Sequence, residues 1–144
     1  MLFPPEIAAE FVAEQEGFKA EAYRCPTGHW TIGFGHAQNV HKGDVITRSE
    51  AYELLDRDLQ HTQEELATLI HIDINENQFI ALMSFVYNFG LTKCRTYRLF
   101  GMINRGEWEN VRTWWPKYCN PDNPVVTKGL RDRRIRELEL FFRS

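Results

Sequence analysis

Apolar residues recur at helical spacing over most of the chain. Ile7, Phe11 and Val12 share one face of a segment that stops at Gly17, a residue type common just after a helix end. Further along, the stretch TRSE that begins at Thr47 is a capping box, and leucines continue at helical spacing beyond it. These patterns predict an N-terminal helix and a long second helix.

A second capping box, NENQ, precedes the most apolar segment of the chain. This segment, FIALMSFVYNF, is apolar on nearly every side and stops at Gly90. A helix with such a surface is buried at the centre of its domain. Three more helices are predicted from TYRLFGMIN, EWENVRTWWPKY and LRDRRIRELELFF, with the proline-rich NPDNPV as a loop before the last.

The stretch AYRCPTGHWTIGFG interrupts the helical pattern. It is rich in residues that favour strands and contains the turn sequence PTG, so we expect a short β-hairpin. Strand alternation would place Thr31, Gly33 and Gly35 on one face, with Ile32 and Phe34 facing the core. The chain is therefore predicted to have an α+β fold, mainly helical with one small N-terminal sheet.

No repeat, linker or low-complexity tract divides the sequence. Its 144 residues are the usual size of one domain. We expect a single domain over residues 1–144. Within it, a small sheet-containing lobe would cover about 14–60, and a helical lobe would cover about 61–144 together with the N-terminal helix.

Charge and composition exclude several classes of function. The net charge of −3 leaves no excess of cations for general nucleic-acid binding. The three cysteines are far apart and the histidines lack metal-ligand spacing, so we expect free thiols, no metal and no cofactor. The N-terminus lacks the basic start of a signal peptide, and no apolar run reaches the length of a membrane span. These features predict a soluble cytoplasmic product without stable membrane association.

Glu16 is the first candidate for chemistry. It falls in the last turn of the predicted helix, where the negative end of the helix dipole disfavours a carboxylate. An acid that is reluctant to ionise suits a general acid at neutral pH. The alternative is an exposed glutamate paired with Lys19 or Arg24.

The spacing around Glu16 favours the catalytic interpretation. Eight residues separate Glu16 from Cys25, and five separate Cys25 from Thr31. A hairpin after the helix would carry Cys25 and Thr31 on neighbouring strands that face back towards Glu16. Two glycines beside Thr31, Gly33 and Gly35, would leave room for a bulky substrate to approach the backbone.

Three blocks of sequence resemble the phage-type lysozymes of glycoside hydrolase family 24. They are EGF…AYRC…WTIGFGH, QFIALMSFVYNFG and GLRDRRIRELELF, and the first matches the family signature of Glu, eight residues, Asp or Cys, five residues and Thr. The resemblance implies a lysozyme-like fold, with a sheet lobe and a helical lobe around a long buried helix. It also implies hydrolysis of the β-1,4 bond between N-acetylmuramic acid and N-acetylglucosamine in peptidoglycan, lysing the host at the end of phage infection.

The resemblance implies roles for the three candidates. Glu16 would protonate the glycosidic oxygen, and Thr31 would help hold the attacking water on the far side of the sugar. Cys25 occupies the position where many members carry an aspartate that acts in the two-carboxylate scheme of glycosidases. A thiol is mostly neutral at pH 7, so water placement, weak base and transient nucleophile stay open for Cys25. A small buried hydrophobe is the structural alternative.

His36 and Asp58 are expected to support the site without touching substrate. Asp58 matches an acidic position of the family, and we expect His36 to form an ion pair with it. Such a pair would fasten the hairpin to the long helix, and its stabilisation would be lost above the histidine pKa.

Three residues nearer the C-terminus are further candidates. Arg133 best matches the family's cleft arginine, which could pair with Glu16, and Arg134 is the adjacent alternative. The alternative interpretation is that the charged run RDRRIR forms a solvated helix face with no role in binding. Asn88 falls where the family places an amide that can bind the sugar N-acetyl groups, although a helix-capping asparagine is an equal interpretation.

The leading hypothesis is an endolysin that acts on glycan strands as a monomer. It would wait in the host cytoplasm for a separate holin-type pore and then reach the periplasmic cell wall. A second hypothesis, supported only by Cys25, is a catalytically silent peptidoglycan-binding module on the same fold. A third is a chitinase-like or lytic transglycosylase activity. A transglycosylase makes its anhydro product without water, so a water-holding Thr31 argues against it.

Overall fold

The computed structural model describes residues 3–25, 28–119 and 124–143, without the side chains of 124–126. The described chain is mainly helical with one small antiparallel sheet, as the α+β prediction requires. It divides into two compact units, Pro4–His61 and Thr62–Ser144, the latter with Met1–Phe3. No helix among the described residues combines the length and the apolar composition needed to cross a bilayer.

The first unit begins with helical turns that lead directly into the sheet. A 3-10 turn, Pro5–Ala8, runs into helix α1, Ala9–Glu16. The helix ends where the Gly17 N–H donates to the Ala13 carbonyl at 2.9 Å. From the sequence we expect α1 to belong with the helical lobe, whereas in the structure it lies in the compact unit Pro4–His61.

The hairpin consists of β1, Lys19–Arg24, and β2, Trp30–Gly33. The strands are antiparallel, with Tyr23 opposite Thr31. The free edge of β1 is covered by the segment before α2, since Ile46 N–H donates to the Ala20 carbonyl at 2.8 Å. The sheet is therefore bonded on both sides of β1.

Beyond Gly33 the structure departs from the predicted extended strand. The chain reverses, and Ile32 and His36 exchange two hydrogen bonds of 2.9 Å each. Gly33 and Gly35 have φ of 66° and 83°, a left-handed region that glycine adopts without steric cost. Placing Thr31, Gly33 and Gly35 on one face of a strand was therefore wrong. Ile32 and Phe34 are buried, as expected.

Helix α2, Arg48–Leu69, starts at the predicted capping box. Glu50 N–H donates to Thr47 Oγ1 at 3.1 Å, and Thr47 N–H donates to a Glu50 carboxylate oxygen at 3.0 Å. At the other end, the Leu69 carbonyl accepts a hydrogen bond of 2.9 Å from the Asn104 side chain. Both ends of this long helix thus have polar partners.

Helix α3, Glu76–Phe89, is the buried central helix of the second unit. Its capping box at Asn75 is complete, and Gly90 is its C-cap, as the sequence predicts. The helices that follow are α4, Leu91–Cys94; α5, Leu99–Asn104; α6, Trp108–Trp114 with the 3-10 turn Trp115–Lys117; and α7, Pro124–Phe141.

Two details of this unit differ from the sequence prediction. The short helix α4 was not predicted, because four residues carry too little periodicity to detect. Helix α7 begins at Pro124, inside the stretch expected to be a loop. Proline is tolerated at a first helical position because the N–H that it lacks has no helical partner there. The start of that predicted loop, 120–123, lies outside the described residues.

Candidate active site

Glu16 is the last residue of α1, and the hairpin turn lies against its carboxylate. A Cβ at residue 35 would stand 2.7 Å from Glu16 Oε1, a distance that real Cβ atoms essentially never show. A side chain at residue 35 would therefore displace the Glu16 carboxylate, and the φ of 83° at Gly35 also favours glycine. Glu16 is half-buried, whereas the structural alternative was an exposed glutamate.

Cys25 and Thr31 lie on the two sides of the hairpin, as predicted. Cys25 directly follows β1 and is a free, half-buried thiol whose N–H donates to the His29 carbonyl at 2.9 Å. Thr31 lies in β2 and is buried, and its hydroxyl donates to the same carbonyl at 3.2 Å. Because that proton is used, Thr31 Oγ1 offers a ligand its lone pairs.

Tyr23 is a residue of this region that the sequence analysis missed. It is half-buried and lies directly opposite Thr31 in the hairpin. Burial raises the pKa of Tyr23, and the negative charges of Glu16 and then Cys25 raise it further. The phenol is therefore neutral at physiological pH. The sequence could have pointed to Tyr23, because residues two positions apart in a strand face the same side, and Tyr23 lies two positions before Cys25.

Gly33 requires a correction. It is buried, and a Cβ at this position would stand 3.1 Å from the Cβ of Ala51 in α2. The space left by the missing side chain is thus used for packing the turn on the helix. The structure does not support Gly33 as a place where substrate approaches the backbone.

The contact predicted between His36 and Asp58 is present. His36 Nδ1 lies 2.7 Å from Asp58 Oδ2, and the two side chains are 14% and 23% exposed. His36 follows the turn that contacts Glu16, and Asp58 belongs to α2. This contact therefore fastens the turn to the helix behind it.

In the second unit, Arg133 and Arg134 form a buried polar cluster with Glu137. Arg134 and Glu137 are 0% exposed and Arg133 is 5% exposed. Arg134 Nη2 donates to Glu137 Oε2 at 2.8 Å, and Arg133 Nη2 donates to the Ser84 carbonyl at 3.1 Å. A solvated helix face is therefore wrong for these two arginines. The pairing of an arginine with Glu16 stays a prediction.

The cluster is completed by Ser84 and Trp115. Both donate to the Glu137 carboxylate, Ser84 Oγ at 2.5 Å and Trp115 Nε1 at 3.1 Å. The guanidinium of Arg134 also lies over the rings of Phe85 and Phe89, at 4.8 and 4.6 Å from their centroids. A buried charge needs contacts of this kind to offset its lost hydration.

Asn88 lies inside α3 and does not cap it, because Gly90 has that position. The side-chain oxygen Asn88 Oδ1 is buried and has no hydrogen-bond partner among the described residues. Buried polar atoms are nearly always paired, so an unpaired acceptor suits a site that a ligand donor completes. The capping interpretation of Asn88 is thus replaced.

The described residues show no cluster of three or more His, Cys, Asp and Glu side chains that could hold a metal ion. All three cysteines are free. Burial raises the pKa of the Cys94 thiol to about 12, with the nearby Glu65 charge as a smaller contribution. Cys94 is therefore a neutral, unreactive core residue, in contrast to the half-buried Cys25.

Comparison with known proteins decides the family. Residues 13–137, most of the chain, match the phage lysozyme family. The chain belongs to the phage lysozyme family. It is 33% identical over 133 residues to the endolysin of Acyrthosiphon pisum secondary endosymbiont phage 1, covering 90% of this chain and 91% of that relative. The endolysin of Bacillus phage B103 is 35% identical over 129 residues, but this chain spans only 49% of its length.

Solved structures of phage lysozymes and muramidases have the same fold. The muramidase domain of SpmX from Asticaccaulis excentricus superposes with a TM-score of 0.86 at 28% identity, covering 96% of each chain. A mutant of P22 lysozyme gives a TM-score of 0.80 at 25% identity, covering 99% of this chain and 100% of the other. This phage lysozyme is therefore a glycosidase, a phage muramidase whose substrate is peptidoglycan.

Proposed function

We propose that Glu16 is the general acid of the muramidase reaction, acting on the β-1,4 bond between N-acetylmuramic acid and N-acetylglucosamine. The observation that carries this proposal is the half-buried Glu16 carboxylate beside Gly35, in the same unit as the hairpin of Cys25 and Thr31. As the bond from the anomeric carbon to the glycosidic oxygen breaks, that oxygen takes the proton of Glu16.

Thr31 holds the water that completes the reaction. Its hydroxyl proton is used by the His29 carbonyl, so Oγ1 accepts a hydrogen bond from the water. The water oxygen bonds to the anomeric carbon, and its proton leaves to Cys25 as thiolate or to solvent. Cys25 thus acts as a weak base or places the water. If Cys25 were instead a transient nucleophile, it would attack the sugar itself and the first step would need no water.

The remaining candidates divide between substrate binding and support. Asn88 binds an N-acetyl group, because its unpaired buried oxygen can accept the amide N–H of the sugar. Arg133 keeps 5% exposure and Arg134 none, so we assign substrate contact to Arg133 and support to Arg134. His36 and Asp58 also support the site by fastening the turn beside Glu16.

We assign this muramidase to lysis at the end of phage infection, as a monomer that waits in the host cytoplasm for a holin-type pore. The support is the resemblance over nearly the whole length to a phage endolysin. Other relatives, such as that of Escherichia phage P1, are SAR-endolysins. Fractionating expressing cells with and without a holin-type pore tests this route: periplasmic enzyme without the pore would contradict it.

Clearing of chloroform-permeabilised Gram-negative cells tests the catalytic proposal. Glu16→Gln should lower the clearing rate at least about a hundredfold, because a general acid contributes that much. Glu14→Gln is the matched control, since Glu14 is exposed on the same helix. Full activity of Glu16→Gln would overturn the assignment. Wall binding by the wild type without clearing would indicate the silent binding module, and an anhydro product would indicate a transglycosylase.

A further inference from the structure

Tyr23 lies between the residues of the proposed water site. It is directly opposite Thr31 in the antiparallel hairpin. Opposite residues in such a pair have Cβ atoms about 4.5–5.5 Å apart and side chains on the same face. Cys25 lies two positions along from Tyr23, and its hydrogen bond to the His29 carbonyl continues the ladder. The three side chains therefore share one face of the hairpin.

The hydroxyl of Tyr23 is protonated at physiological pH, because burial and its neighbours raise its pKa above the ordinary value. Burial raises the pKa of Tyr23 most, and the neighbouring Glu16 and Cys25, the two groups proposed to move protons, raise it further. A phenol with a raised pKa is a neutral O–H donor throughout the physiological range. Tyr23 is thus the available neutral O–H donor among the three hairpin side chains, since the Thr31 hydroxyl already donates to the His29 carbonyl.

An attacking water needs such a donor. It gives one hydrogen to Thr31 Oγ1, and its other hydrogen leaves during the reaction. One of its lone pairs points at the anomeric carbon of the sugar. The second lone pair requires a hydrogen-bond donor if the water is to have one fixed orientation.

We propose that Tyr23 completes the water site, its phenol hydroxyl donating to the water that Thr31 holds. The inference rests on the water-holding role proposed for Thr31 and adds a third group to it. Tyr23 fixes the position of the water and leaves the binding of the glycan strand unchanged.

The test compares Tyr23→Phe with Tyr52→Phe on soluble peptidoglycan fragments. Tyr52 is also a half-buried tyrosine of the first unit, and its ring contact with Phe34 survives in phenylalanine. Tyr23→Phe should lower kcat about tenfold or more with an unchanged KM, whereas Tyr52→Phe should match the wild type. A wild-type kcat for Tyr23→Phe, or a loss confined to KM, overturns the inference.

A double-mutant cycle with Thr31→Ala tests whether both residues hold the same water. If they do, Tyr23→Phe should cost little further activity once Thr31 is replaced, and additive losses overturn the inference. Full activity of Thr31→Ala alone would instead refute the role proposed for Thr31. If Tyr23→Phe lowers the melting temperature, kcat is compared below the transition, where a wild-type value still overturns the inference.

Discussion

The two compact units each contain a polar cluster, and the clusters differ in burial. In the second unit, Glu137 is 0% exposed and accepts hydrogen bonds from Ser84, Trp115 and Arg134. In the first unit, Glu16 is half-buried, and its carboxylate lies where Gly35 lacks a side chain. One carboxylate is enclosed by several donors, and the other keeps access to solvent.

This difference separates a structural carboxylate from a chemical one. Glu137 lies between two arginines, which suits a carboxylate that holds packed helices together. A general acid must be reachable by the substrate, which suits the half-buried Glu16. The degree of burial therefore distinguishes Glu137 from Glu16, since both are glutamates.

Removing Glu137 should have the largest effect on stability. Glu137→Ala removes the carboxylate that Arg133 and Arg134 share, and should lower the free energy of unfolding by about 3–5 kcal/mol. Glu139→Ala, exposed on the same helix, should change it by less than about 0.5 kcal/mol. Urea unfolding measures both. Equal losses would contradict a structural role specific to Glu137.

Adding one methyl group beside Glu16 should lower the activity of the enzyme. Gly35→Ala places a Cβ 2.7 Å from Glu16 Oε1 and should lower kcat about tenfold or more by moving the acid. Gly43→Ala is the matched control, because its φ of 92° imposes similar backbone strain with no atom within 4 Å. The control should lose stability but keep its kcat. Equal kcat values in the two variants would contradict the positioning of Glu16 by Gly35.

The contact between His36 and Asp58 should have a smaller effect. Asp58→Asn weakens a charge-assisted hydrogen bond of 2.7 Å and should cost about 1–3 kcal/mol of stability. Thermal unfolding of the variant and the wild type measures the loss. No loss would show that this contact does not fasten the turn.

Asp56→Asn, on the same helix, should have the smallest effect and depend on pH. Burial and then the Glu6 charge raise the pKa of Asp56, so the folded state favours its neutral form. In the wild type, Asp56 therefore stabilises the folded state at low pH, and this contribution is lost as the pH rises through the raised pKa. The variant should be slightly more stable than the wild type above this range. A variant that is less stable there would contradict the direction of the shift.

Local signals in the sequence predicted most of the fold, and they also placed Cys25 and Thr31 on one hairpin after α1. The capping boxes at Thr47 and Asn75 mark the starts of α2 and α3, and Gly17 and Gly90 mark helix ends. Each of these signals acts within a few residues of the chain, so no tertiary information is needed to detect it. The spacing of Glu16, Cys25 and Thr31 is likewise a short-range signal that can be read from the sequence alone.

The features that were missed depend on packing between distant segments. β2 ends at Gly33, where φ is 66° and Ala51 of α2 packs close by, and nothing local in the sequence distinguishes this turn from a continued strand. Arg133 and Arg134 are buried because α7 packs on α3, whereas Lys128 and Arg131 in the same charge run are exposed. A run of charges alone does not indicate which face of its helix is covered.

The anomer released first from purified peptidoglycan fragments tests the central claim most directly. If a water held on the hairpin attacks the sugar while Glu16 protonates the leaving oxygen, the β-bond gives the inverted α-anomer. Proton NMR, recorded before the anomers equilibrate, should therefore show the α-anomer as the initial product. Initial release of the β-anomer would contradict direct attack by water and assign Cys25 as a covalent nucleophile.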